Sequence, residues 1–238
     1  MDTGLWIFFL LLFTVMFLSV KKRKLTLGGA VMAGVAGCCI YAGAGFTGIA
    51  MIGAFFMLGI LTTSWKINTK EKIEAAEKDK GRRTAGQVIA NGGVAAVAGL
   101  LAWVYPEQQK IFQLMMAAAI SSATADTISS ELGTVYGKRF YNILSFKNDK
   151  RGDDGVVSAE GTLFGFAGST IIAVIFLAGY GWEIKSLLMI VLAGTIGNIS
   201  DSVLGATLER HGYLKNDAVN FINTFVAAVS VFILLKLL

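Results

Sequence analysis

Residues 111–133 read IFQLMMAAAISSATADTISSELG, an apolar run that passes into a stretch holding Asp126 and Glu131 among hydroxyls. From Ile111 to Leu132 it is long enough to cross the ~30 Å hydrocarbon core of a bilayer as a helix. A carboxylate near the middle of that core costs about 2.5–3.5 kcal/mol on insertion scales, so Asp126 must face water, a partner charge or a metal rather than lipid. If the stretch is a membrane span, the rest of the chain has to supply those partners.

The composition around it agrees. Of 238 residues, 55% are hydrophobic, the mean hydropathy is +0.65, and the apolar residues gather into segments of spanning length. There are 28 Gly and a single Pro, with small-residue runs such as GAVMAGVAG (29–37) and AGAGFTG (42–48) that let helix backbones approach closely in a membrane. The expected fold class is all-α, a polytopic membrane bundle. The formal charge of +5 does not point to nucleic acid, because the basic residues sit in short loops between apolar segments. Cys38 and Cys39 are adjacent in an apolar run, which rules out an ordinary bridge or a zinc site between them and leaves small buried hydrophobes as the expectation.

Working outward, Gly4–Val20 precedes Lys21-Lys22-Arg23-Lys24 and lacks a basic N-terminal flank, the reverse of a secretory signal peptide. It reads as a first span with its N-terminus outside. Leu25–Trp65 is too long for one crossing and breaks near Ala42–Gly48 into two spans, with Trp65 as an interfacial anchor. Further spans are expected at Thr84–Tyr105, Ile111–Leu132, Ser158–Gly179, Ser186–Leu208 and Ala218–Leu238, making eight. The charged stretch Lys66–Arg83, with Glu74 and Lys78 paired at i,i+4, reads as a solvated cytoplasmic linker, and Gly133–Val157 reads as a polar loop. With this division 18 of the 21 Lys and Arg fall on the cytoplasmic side, which supports the helix count and the orientation. Three regions follow: N-terminal spans (1–65), the linker (66–83) and a catalytic transmembrane domain (84–238).

The intramembrane polar groups all lie in the cytoplasmic half. Asp126 and Asp201 each fall fifteen residues after the start of their spans, so the two carboxylates should share a depth roughly 10 Å from the cytoplasmic end. SATADTISSELG and GNISDSVLGATLE look like related copies in two helices running the same way, which raises a parallel internal repeat. On the fifth span Ser122, Asp126, Ser129 and Ser130 share a face, as do Asn198, Asp201 and Gly205 on the seventh. Thr84, Gln87 and Asn91, then Ser158, Glu160 and Thr162, then Asn220 and Asn223 face the same level from three other spans. Hard oxygen ligands without His or Cys suit Mg²⁺; the lone His211 reads as surface.

Two segments have the form of phosphate sites. Gly152-Asp153-Asp154-Gly155-Val156-Val157-Ser158 is a glycine-bearing turn leading into a helix N-terminus, and Arg82, Arg83 and Thr84 open the fourth span. Against these stand an ordinary turn, an ordinary positive-inside flank, and a purely structural polar network joining helices.

GRRTAGQVIANG (81–92), SSATADTISSELG (121–133), GDDGVVSAEGTLFG (152–165) and GNISDSVLGATLE (197–209) together resemble, in order and spacing over residues 81–224, the integral-membrane family that includes plant phytyl-phosphate kinase and human transmembrane protein 19. The resemblance implies phosphorylation of an isoprenoid monophosphate to the diphosphate by a nucleoside triphosphate, CTP by analogy with prenol kinases. It points to Arg83, Gln87 and Asn91; Ser122, Asp126, Thr127 and Glu131; Gly155, Ser158, Gly161 and Thr162; and Asn198, Asp201 and Ser202. Gly-Val-Val-Ser stands here where the family form is GGVS.

The expectation is therefore a polyprenyl-phosphate kinase. Asp126, Asp201 and Glu131 would hold Mg²⁺, while Arg82 or Arg83, Lys150, Arg151 and the sixth helix N-terminus would neutralise the transferring phosphoryl group. A cytidylyltransferase acting on a lipid phosphate would use the same pocket, and a secondary transporter would use the Asp pair for ion coupling.

Overall fold

The computed structural model describes residues 3–71 and 81–237. Hydrocarbon leaves backbone amides no partners but those of their own chain, so each apolar stretch becomes a helix. In order these are α1 Thr3–Lys21, α2 Leu27–Ser64, α3 Ile67–Glu71, α4 Ala85–Val104, α5 Gln109–Tyr136, α6 Ala159–Tyr180, α7 Ile184–Leu204 and α8 Asn216–Leu237. All but α3 are long and apolar enough to cross a membrane. The protein is an all-α polytopic membrane bundle.

Straight, the 38 residues of α2 would reach about 57 Å. Instead Gly45, at φ 58° and ψ −147°, interrupts the helix, and Lys24 Nζ donates to Ser64 Oγ across 3.3 Å. Contact between its last residue and one just before its start requires α2 to fold back as a hairpin. The break expected at 42–48 thus falls at Gly45, whose left-handed φ a side chain would oppose.

A small-residue contact seats this hairpin on α4. A Cβ added to Gly99 would lie 2.7 Å from the Cys39 carbonyl oxygen and 2.9 Å from Ile40 Cα, so the helices touch backbone to backbone. Gly99→Val is expected to cost about 1–3 kcal/mol through forced separation. Thermal unfolding in detergent should show a lowered midpoint.

α5 is the central post. Of its apolar window 72% is buried, against 11% for α1, and every residue from Met116 to Ala125 is buried. Ile40, Met51 and Phe55 of α2 share one core with Ile120, Ile172, Ile190 and Val231 of α5 to α8. Enclosure explains why this helix tolerates the hydroxyls and acids of 121–131: they meet other helices and not lipid.

Several expectations change. α5 runs on through Tyr136, so the loop expected from Gly133 begins at Gly137. The extension is carried by packing, since a Cβ on Gly133 would lie 2.8 Å from Gly161 Cα. Within the loop, Tyr141 pairs with Val157 and Asn142 with Val156 as a short antiparallel ribbon. Cys38 is exposed and Cys39 half-buried, because the outer face of a membrane helix is itself apolar. The segment taken as a solvated linker contributes α3, whose Lys70 is only 1% exposed; its Glu74–Lys78 pair lies outside the described residues. His211 is exposed.

Candidate active site

The end of the bundle at which α1 and α5 finish and α4, α6 and α8 begin holds a polar cavity of about 300 Å³. Three helix starts open near it with side-chain caps or amides. Thr84 caps α4, accepting from Gln87 N while Gln87 Oε1 accepts from Thr84 N, which is the reciprocal capping box. Ser158 caps α6, accepting from Gly161 N at 3.1 Å. Asn216, the first residue of α8, accepts at Oδ1 from Asn220 Nδ2 at 3.1 Å.

Two acids lie on the floor. The Asp126 and Asp201 carboxyls, from α5 and α7, are within hydrogen-bonding reach of each other, as their equal distance from the far end of the bundle implied. Asn223 Nδ2 donates to Asp201 Oδ2 at 2.6 Å, and Asn223 Oδ1 accepts from Ser122 Oγ at 3.1 Å. On the other side Ser129 Oγ donates to Asn198 Oδ1 at 3.2 Å. Two carboxylates this close cannot both stay charged without a shared proton or a cation between them.

Of the residues singled out in the sequence, Arg83, Gln87, Asn91, Asp126, Thr127, Glu131, Gly155, Ser158, Gly161, Thr162, Asn198, Asp201, Ser202 and Asn220 line the cavity. Ser122 and Asn223 lie one layer beneath it and hold Asp201. Arg82, Lys150 and Arg151 are not part of the lining. Arg82 Nε donates to the Leu25 carbonyl at 3.4 Å, Lys150 is exposed, and Arg151 donates to the Thr134 carbonyl with its guanidinium 5.4 Å from the Phe140 ring centroid.

Glu131 lines the cavity, but its carboxylate forms a buried ion pair with Lys70. Lys70 Nζ also donates to the Thr62 carbonyl at 2.7 Å, so it ties the end of α2 to α5. Among the described residues no group of three or more His, Cys, Asp or Glu side chains is arranged to hold a metal unaided.

Sequence reasoning gave Asp153 and Asp154 no role beyond membership of the glycine-bearing turn and gave Glu209 and Asn216 none, yet all four line the cavity. Glu209, eight residues beyond Asp201, would stand about 80° round from it on a regular helix. After α7 the chain forms a π-helical turn over Gly205–Glu209, and this wider turn brings Glu209 back to the cavity; such turns are frequent at functional sites. α5 remains regular through the corresponding stretch, so the two related copies differ locally. The signal for Asp154 was present, in the glycine-bearing turn that contains it.

That turn is the cavity's roof. Gly155 has φ 73°, and a Cβ there would overlap the Ala206 backbone, so the roof rests directly on the π turn. Arg210 clamps it, with Nη1 donating to Asp149 Oδ2 at 2.6 Å, and Nη2 to Asp149 Oδ1 at 3.1 Å and Asp153 Oδ2 at 3.2 Å. Hydrogen bonding from Arg210 holds the Asp149 carboxyl well below the usual carboxylate range. Burial, and next the charge of Asp153, push Asp154 up.

Because the folded value of Asp149 is depressed, its contribution is present above the unfolded pKa of about 3.9 and is lost only as pH falls through the lower folded value. The clamp should therefore hold at pH 4. Arg210→Ala should raise amide exchange across 140–157 at both pH 7 and pH 4, with the wild type protected at both.

Comparison with known proteins finds relatives over most of the chain. The chain is 36% identical over 212 residues to an uncharacterized membrane protein of Synechocystis, covering 87% of this chain and 81% of that one. It is 32% identical over 217 residues to Protein VTE6, chloroplastic, of Arabidopsis thaliana, covering 86% and 63%. It is also 32% identical over 221 residues to an uncharacterized membrane protein of Methanocaldococcus jannaschii, covering 92% and 90%. No solved structure matches it. The family described as Integral membrane protein DUF92 matches residues 10–228, reaching well beyond the four motifs into the first spans, and the chain belongs to that family.

Proposed function

We propose that the protein is a polyprenyl-phosphate kinase, transferring the terminal phosphoryl group of a nucleoside triphosphate to an isoprenoid monophosphate and giving the diphosphate. The observation that carries this reading is the Asp126–Asp201 pair on the floor of a polar cavity whose lining also includes Arg83 and the first turn of α6. The motif resemblance to phytyl-phosphate kinase supplies the reaction class, and CTP is the donor by the same resemblance.

Two adjoining carboxylates without a complete cage are the donor set with which Mg²⁺ is held beside substrate phosphates. Asp126 and Asp201 would hold it, and when bound it supplies neutralisation of the donor phosphates. Arg83 and the amides at the start of α6 offset charge on the transferring group. Asn220 Oδ1, buried without a hydrogen-bond partner among the described residues, is an acceptor placed for a donor on the nucleotide. The accepting phosphate oxygen is already anionic, so no general base is required. It forms the new P–O bond while the donor's terminal P–O bond breaks and its electrons leave with the nucleoside diphosphate.

In this reading the chain crosses the membrane eight times, counting each arm of α2, with the N-terminus outside. The cavity opens to the cytoplasm, since the loops at its end carry 18 of the 21 Lys and Arg.

The test is purified protein in detergent with farnesyl or geranylgeranyl monophosphate, Mg²⁺ and labelled CTP or ATP. A prenyl diphosphate is the expected product. Its absence with every donor and chain length would sink the reading, and release of pyrophosphate with a CDP-lipid would replace it with cytidylyl transfer.

A further inference from the structure

A second cavity, of about 450 Å³, lies between α1, the two arms of α2 and the start of α4. Its walls are almost wholly hydrocarbon. Leu12 and Met16 of α1 face Ala36 and Gly37 on one arm of α2 and Ala50 and Gly53 on the other, so the small residues make the space. At one end Phe8 stacks on Tyr41 with centroids 4.0 Å apart, and Tyr41 meets the edge of Phe46 at 5.3 Å; Phe8 and Phe46 both line the cavity there.

Among the described residues Arg83, Gln87 and Asn91 are the only polar side chains of its lining, and all three also line the polar cavity of the Asp pair. The two spaces therefore adjoin across these side chains. The Arg83 guanidinium lies 5.2 Å from the Phe55 ring centroid, a cation–π placement, and Phe55 is itself part of the apolar wall. An apolar space ending at an arginine and two amides fits an amphiphile with one anionic end. Phe46 and Phe56, both in the lining, are ten residues apart on one arm of α2, so the space runs about 15 Å along it. That is the extended length of a farnesyl chain.

We propose that this cavity holds the tail of the acceptor lipid, an isoprenoid of about farnesyl length, with its phosphate at Arg83, Gln87 and Asn91. The inference rests on the kinase reading of the adjoining cavity. It gives α1 and the α2 hairpin, outside the four motifs, the task of selecting the acceptor by chain length. The phosphate then stands between Arg83 and the Asp pair, which leaves the floor and roof of the polar cavity to the nucleotide.

Gly53 supplies the test, because a Cβ there meets nothing within 4 Å and a larger side chain grows into the cavity without striking backbone. Gly53→Phe is expected to raise the ratio of kcat/KM for geranyl over farnesyl monophosphate at least tenfold. It should also weaken equilibrium binding of labelled farnesyl monophosphate, measured without nucleotide, at least tenfold. Ala36→Phe, from the opposite arm, serves as a second variant, and a thermal midpoint within a few degrees of wild type qualifies either one.

Wild-type phosphorylation with a chain-length profile that neither variant alters would overturn the tail site and leave the kinase reading standing. Wild-type binding that Gly53→Phe abolishes, with no phosphorylation by any donor, would uphold the tail site and remove the kinase reading. Displacement of the labelled ligand by dioleoyl phosphatidic acid as readily as by farnesyl monophosphate would overturn the isoprenoid assignment in favour of a general membrane lipid.

Discussion

Asp201→Asn and Asp126→Asn are each expected to lower turnover by about three orders of magnitude while leaving the thermal midpoint unchanged or slightly raised. The rate effect follows from several kcal/mol of charge stabilisation on the donor phosphates that a single carboxylate would no longer support. The stability effect follows from the pair itself. Two carboxyls in mutual reach oppose one another when ionised, and making one an amide removes that opposition. The substitution also spares the neighbouring bonds, because an Asn oxygen at 201 can still accept from Asn223 Nδ2 and one at 126 from Ser130 Oγ. A purely structural polar network gives the opposite pattern, with lost stability and retained turnover. Kinetics and thermal unfolding of the same two variants therefore decide between a phosphoryl-transfer pair and a helix-joining network.

Depth was legible in the sequence because it follows from helical rise alone. Asp126 and Asp201 stand equally far along parallel helices that run regularly from the opposite end, and counting residues suffices to bring them level. Gly45 was legible for a similar reason, since an apolar stretch too long for one crossing must turn where small residues cluster. Glu209 was not, because its position depends on a π-helical turn that no periodicity announces. The roof packs directly against that turn, where Gly155 meets Ala206 backbone to backbone, a contact between segments some fifty residues apart. Charge patterning also misplaced Lys70. Charge alone does not mark Lys70 out within a hydrophilic stretch; tertiary geometry turns it inward, namely the end of α2 and Glu131 lying within reach of α3.

Lys70→Met is expected to lower the unfolding free energy by about 3–5 kcal/mol, the usual consequence of leaving one member of a buried ion pair alone. Lys70 is 1% exposed and Glu131 8%, so water does not replace the lost partner. The substitution also strips the last turn of α2 of a cation that donates to its terminal carbonyls, Thr62 O at 2.7 Å and Thr63 O at 3.4 Å, where positive charge is favoured. In Lys70→Met/Glu131→Leu both charges are gone, and most of the loss should be recovered, since an apolar pair of similar volume often serves a buried site as well as an ion pair does. Thermal unfolding of the two single variants and the double one completes the cycle. A wild-type midpoint for Lys70→Met would mean that the pair contributes nothing to holding α3 against α5. Turnover of the double variant then assigns Glu131. A fall as large as that of Asp126→Asn would make Glu131 a third member of the phosphoryl-transfer site, whereas a much smaller one makes it the anchor through which Lys70 fixes the rim of the cavity.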